Sequence, residues 1–166
     1  MDIYERLMAD HVRQRRLVQD ILQLASKPAQ AFSLLLQLQE EVEAHQAAEE
    51  QTLYAEIVAL SKDSTQVSGG VSGHDAIAQL LDTLINPEPN FDAWLSGLSD
   101  LAECLFGRLY DEETITFSYA RSIISEERAR ALVERFDFIK EVEADVWGKA
   151  VPTTPGPGWV DSAAAE

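Results

Sequence analysis

Apolar residues recur every three or four positions along most of this chain, and no stretch alternates polar and apolar as a strand does. From about Asp2 to Ser26, Ile3, Leu7, His11, Leu17 and Ile21 share one helix face. From about Pro28 to Leu60 the stripe is Leu35, Leu38, Val42, His45, Glu49, Thr52 and Leu53. A third helix is predicted from about Ser72, a candidate cap, to Ile85, with His74, Ile77, Leu81 and Leu84 on its face. A fourth spans about Phe91 to Ile123 and carries Trp94, Leu98, Leu101, Leu105, Arg108, Glu112 and Ile115. The fifth, about Ser125 to Trp147, has a weaker face of Ala131, Leu132, Phe136 and Ile139. Breaks fall at Pro28, across the polar run Ser61 to Gly70, at Asn86-Pro87-Glu88-Pro89-Asn90, and at Pro152 to Gly158.

An internal repeat organises these segments. A shift of 63 positions pairs His11 with His74 and Glu49 with Glu112. It also pairs Leu35 with Leu98, Leu38 with Leu101, Val42 with Leu105, Glu50 with Glu113, and Tyr54 with Phe117. Two similar helical hairpins packed about a pseudo-twofold axis make a four-helix bundle, and bundles build metal sites from facing side chains. The expected fold is all-α: an up-down-up-down four-helix bundle with an additional C-terminal helix over residues 1–148, then a flexible Pro/Gly-rich tail over 149–166.

Length and composition fit that picture. The 166 residues suit one domain with a real core, and 46% hydrophobic with 25% charged is an ordinary soluble balance. A formal net charge of −16 repels phosphate backbones, which argues against nucleic acid as a partner. The single cysteine, Cys104, can make neither an intrachain disulfide nor a thiolate cage and reads as a small buried hydrophobe. The first residues lack a basic leader followed by an apolar run, and no apolar run reaches the roughly 18 residues that span a membrane. A cytoplasmic location is the expectation.

The only three histidines, His11, His45 and His74, all fall inside apolar stripes. His45 and Glu49 are four apart, which stacks them on one helix face. A buried carboxylate is costly without a partner, and a cation shared by carboxylates and imidazoles removes the cost. Glu112 holds the matching place on the fourth helix. Glu50, Asp111 and Glu113 read as a solvated acidic face. Nitrogen and oxygen donors without thiolate suit iron, manganese or zinc.

These residues resemble a hemerythrin-like (HHE cation-binding) domain over roughly Asp2 to Arg121. The resemblance rests on Asp10-His11, on His45-Gln-Ala-Ala-Glu49-Glu50-Gln-Thr-Leu53-Tyr54, on His74-Asp-Ala-Ile77, and on Asp111-Glu112-Glu113 followed by Phe117 and Arg121. It implies two non-haem irons, open to oxo bridging, ligated by His11, His45, His74, Glu49 and Glu112, with the two acids bridging. It departs from the family pattern at Arg108, where that pattern has a histidine. An arginine stays protonated and is not an ordinary metal ligand. Three outcomes stay open: an iron short of one ligand, compensation by a neighbour such as Tyr54, or an Arg108–Glu112 ion pair that displaces the second metal. Arg108 and Tyr54 are the candidate catalytic residues, the first by stabilising an anionic oxygen species. The implied ligands are small oxidants, O2, H2O2 or NO, and the implied roles are oxidative or nitrosative stress defence or oxygen sensing. A sensor or interaction module without turnover, and a bundle with a degenerate site, are the alternatives.

Overall fold

The computed structural model describes residues 1–63, 65–86 and 90–150, with backbone alone for 66 and 148–150. Every regular element among them is helical. Helix α1 covers Ile3–Gln23, α2 Pro28–Glu49, α3 Ala55–Ser61, α4 Thr65–Ile85, α5 Phe91–Asp111, α6 Phe117–Ile123 and α7 Glu126–Ala150. A π-helical turn, Glu50–Tyr54, joins α2 to α3, and another, Glu112–Thr116, joins α5 to α6. Each of these trios is one continuous rod, so the described residues make four rods and α7.

Local chemistry sets the ends. Asp2 and Glu5 form a reciprocal capping box on α1, both bonds at 2.9 Å. Pro28 opens α2, where its missing N–H costs nothing. Lys62, at φ 57°, ends α3 in the left-handed conformation. The side chain of Asn90 caps α5 through the Ala93 amide at 3.0 Å. Short connections make successive rods antiparallel neighbours. Helix α1 packs on α2, α2 on α4, α4 on α5 and α5 on α1, which closes an up-down-up-down bundle, and α7 lies across α1 and α2.

Two apolar clusters fill the interior. One gathers Val18, Ile21, Leu35, Leu38, Ile77, Leu81, Trp94, Leu98 and Leu101. The other gathers Ile3, Tyr4, Leu7, Leu53, Ile57, Phe117, Leu132 and Phe136. Each fully buried aliphatic or aromatic side chain contributes about 1.5–3 kcal/mol, which is how the bundle tolerates a buried polar layer at its waist.

Four expectations need correction. Helix α4 begins at Thr65, so Ser72 lies inside it and caps nothing. Gly70, which closed the expected break, and Gly73 are places of close approach. A Cβ on Gly70 would collide with the Tyr54 hydroxyl, and one on Gly73 would come within 2.6 Å of Arg108 Cδ. On α1, Val18 rather than Leu17 is fully buried. Ile115 is 66% exposed. The wide π turn moves the inward position from three or four residues after Glu112 to five, which brings Phe117 under it, and likewise Tyr54 under Glu49. Threonine hydroxyls ease both turns by donating to carbonyls four residues back: Thr52 to Ala48 at 2.6 Å and Thr114 to Tyr110 at 2.7 Å. On α7 the inward residues are Ala129, Leu132 and Phe136, while Ala131 is exposed. Cys104 is half-buried against the first cluster. The tail from 151 onward, with Trp159, lies outside the described residues.

Candidate metal centre

The polar layer between the two apolar clusters contains His11 from α1, His45 and Glu49 from α2, His74 from α4, and Arg108 and Glu112 from the α5 rod. All but Arg108 are fully buried, Arg108 nearly so. The sequence stripes thus bring six candidate residues to this layer, and the π turn after Glu49 adds the seventh, Tyr54.

Each histidine is gripped from behind. His11 Nδ1 lies 2.8 Å from Glu113 Oε1, His45 Nδ1 3.1 Å from Asp10 Oδ2, and His74 Nδ1 2.7 Å from Glu50 Oε1. A carboxylate at Nδ1 takes that nitrogen's proton as a hydrogen bond and leaves the Nε2 lone pair facing inward. This corrects the solvated acidic face: Glu50 and Glu113 position histidines, and of that trio only Asp111 remains on the surface. The acids are themselves held. Arg15 clamps Glu113 at 2.8 and 3.0 Å. Asp10 takes Arg6 at 2.6 Å and Lys140 of α7 at 2.7 Å. Aromatic rings flank the imidazoles, with Phe117 stacked on His11 at 6.0 Å and Tyr54 on His74 at 5.6 Å.

Titration behaviour follows from this burial. Burial pushes the Glu49 carboxyl above its usual range. Burial, and then Glu49 alongside, pushes Glu112 well above it. Burial lowers His45 to about 3 and lowers His74 as well, so both imidazoles are neutral. The His11 hydrogen bond, then Arg15, holds Glu113 down to about 2 against its partial burial. For Arg108 burial opposes the charge, but Glu112, Tyr54 and Glu49 outweigh it and keep the guanidinium protonated. Tyr54 is pushed far up by burial and by Glu49, so it stays a phenol.

The test of fit for a cation is the set of buried polar atoms that no hydrogen bond satisfies. They include His11 Nε2, His45 Nε2, both oxygens of Glu49 and Glu112 Oε1. Buried polar groups in folded proteins are nearly always bonded, and this convergence of lone pairs suits a shared cation. His11, His45 and Glu112 each offer a ligand atom, all within 4.8 Å of one another. His11 Nε2 is 3.8 Å from Glu112 Oε2. The residues fit a cation there.

The other side of the layer is different. Arg108 Nη1 lies 3.2 Å from Glu112 Oε2, and its Nη2 lies 3.3 Å from His74 Nε2 and 4.0 Å from Glu49 Oε2. Nη2 also donates to the Tyr54 hydroxyl. His74 Nε2 is 3.3 Å from Glu49 Oε2. The sequence reading missed the carboxylates behind the histidines. The repeat held a signal for two of them, since the shift of 63 that relates His11 to His74 also relates Glu113 to Glu50.

No helix among the described residues is long and apolar enough to cross a membrane. Among known proteins, the model of the hemerythrin HHE cation binding domain matches residues 2–120. No curated protein and no solved structure matches the chain. The chain belongs to the hemerythrin HHE cation-binding family.

Proposed function

We propose that this member of the hemerythrin HHE cation-binding family is a non-haem iron protein that binds or reduces a small oxidant such as O2, H2O2 or NO. The observation that carries the reading is the cluster of unbonded imidazole nitrogens and carboxylate oxygens at the waist of the bundle. Such donors accept iron, manganese or zinc, and iron is the one that best serves oxidant chemistry. When bound, the metal supplies an electrophile that takes the small molecule and exchanges electrons with it.

The chain's own residues do the rest. Asp10 and Glu113 fix the imidazoles of His45 and His11 in register, which is the carboxylate support metal-ligating histidines require. Phe117 and Phe136 pack against those rings and exclude water. Arg108 keeps a permanent positive charge beside the donors, which favours an oxidant as it gains negative charge. Tyr54 orients Arg108. A groove lined by Gln46, Glu50, His74, Asp75 and Glu143 opens beside His74. Roles in oxidative or nitrosative stress or in oxygen sensing follow from that chemistry.

The test is anaerobic loading with iron(II), then addition of NO, O2 or H2O2. The near-ultraviolet and visible absorption should change with each addition, at a stoichiometry set by the iron. Fully loaded protein with no spectral response to any of the three refutes the reading. One observation favours sensing without turnover. Phe138, Val142 and Val146, exposed by 66%, 45% and 57%, form a stripe on the outer side of α7 at four-residue spacing. Sustained consumption of H2O2 by the loaded protein separates turnover from sensing.

A further inference from the structure

The structure assigns Arg108 the place of a second cation, so that the centre holds one ion, on the His11 and His45 side. This rests on the reading of the site as a cation centre and deepens it.

The repeat supplies the first argument. Carried through the polar layer, the shift of 63 relates His11 to His74, Glu49 to Glu112, and the supporting acid Glu113 to Glu50. It also relates the stacked rings, Phe117 on His11 and Tyr54 on His74. Only one set breaks. His45 becomes Arg108, its support Asp10 becomes Gly73, and Leu7 becomes Gly70. These changes fit each other. An arginine needs no carboxylate behind it to set a tautomer, and it needs room for a longer stem. A Cβ at Gly73 would lie 2.6 Å from Arg108 Cδ, so an aspartate there is incompatible with the arginine's path. A Cβ at Gly70 would collide with Tyr54, which holds the guanidinium. The exchange of ligand for arginine is built into three positions on two helices.

The second argument is which atoms are already satisfied. His11 Nε2, His45 Nε2, Glu112 Oε1 and both oxygens of Glu49 have no hydrogen-bond partner. On the other side, His74 Nε2 and Glu112 Oε2 face Arg108 nitrogens at 3.3 and 3.2 Å. A cation bound there sits about 2.0–2.2 Å from those same two atoms, which places it against the guanidinium. Arginine cannot shed its proton to relieve that contact. Two cations therefore compete for one set of lone pairs, and the tethered one is always present. What remains for a bound ion is two imidazoles and carboxylate, the donor set of mononuclear non-haem iron(II) sites with open positions.

The experiment is a metal count on the full chain, stripped of metal, loaded anaerobically with iron(II) and desalted. The wild type should hold one iron per chain. His45→Gln should fall to near zero, and His74→Gln should stay at one. Arg108→His combined with Gly73→Asp, which restores both the ligand and its support, should rise toward two. X-ray absorption of the loaded wild type reads the same point without any variant: it should lack the iron–iron scattering of a pair about 3.5–4 Å apart. Two irons in the wild type, with one lost in His74→Gln, overturn the inference and leave the cation reading standing. No iron in any variant overturns both.

Discussion

The hairpin of α1 and α2 and the hairpin of α4 and α5 follow the same course around the polar layer, yet they bring different chemistry to one matched position. The first offers His45 backed by Asp10, which is anchored in turn by Arg6 and by Lys140 from α7. The second offers Arg108, with glycine behind it and Tyr54 at its tip. The histidine side needs a carboxylate network and the extra helix to support it. The arginine side needs room at Gly70 and Gly73 and the Tyr54 hydroxyl at its tip. A bundle can thus satisfy the same buried acids with an exchangeable ion on one side and a tethered one on the other. The tethered charge lets the acids stay buried even when no ion is bound on its side.

That difference can be broken from either direction. The largest effect is expected at Asp10, which is buried and meets one imidazole and two cations. Asp10→Ala should cost about 3–5 kcal/mol in denaturant unfolding, because it leaves buried partners uncompensated. Burial raises the Asp10 carboxyl, but His45 and Lys140 outweigh it and hold the value below the ordinary one. A lowered carboxyl stabilises the fold above its unfolded value and loses that contribution as the pH falls, so the cost of the substitution should shrink in acid. A cost under about 1 kcal/mol at neutral pH would deny Asp10 this role.

On the other hairpin, Gly73→Ala should destabilise by about 1–3 kcal/mol through overpacking against Arg108. Helix propensity alone predicts the opposite sign, a gain of about 1 kcal/mol. Combining it with Arg108→Ala should relieve the cost, and a double-mutant cycle measures the coupling. Additive changes would mean that Gly73 does not exist to admit the arginine.

Proton release sharpens the contrast next. Glu49 and Glu112 are raised by burial, and Glu112 further by Glu49, so protons compete with an ion for these carboxylates over a higher pH range than for ordinary glutamates. Affinity should therefore fall as the pH is lowered, by about tenfold per unit for each proton displaced. Titrations in buffers of different ionisation enthalpy count those protons, and affinity independent of pH would contradict the assignment. The smallest effect is expected for Tyr54→Phe, which removes one partner of Arg108 and should cost about 1–2 kcal/mol with the metal count unchanged.

Much of this arrangement was legible in the chain. Periodicity placed four rods and a fifth helix, and the shift of 63 drew His11, His74, Glu49 and Glu112 to one level. Three things were hidden. The start of α4 was obscured because the polar run ending in Gly69 and Gly70 read as a break, while Gly70 serves a contact with Tyr54 that exists only in the folded bundle. Ile115 was misplaced because nothing in the residue types announces a π turn. Glu50 and Glu113 looked like surface charge because a carboxylate that reaches across to a neighbouring helix's histidine has no local signature. The pairing of Asp10 with Gly73 was visible in the repeat, but its meaning depends on where Arg108 runs.

Anomalous diffraction at the iron edge, from crystals of iron(II)-loaded protein, locates the ion without any variant. One peak per chain is expected, about 2 Å from the Nε2 atoms of His11 and His45 and in contact with Glu112. No peak in that layer, or iron found only on surface carboxylates, would contradict the account.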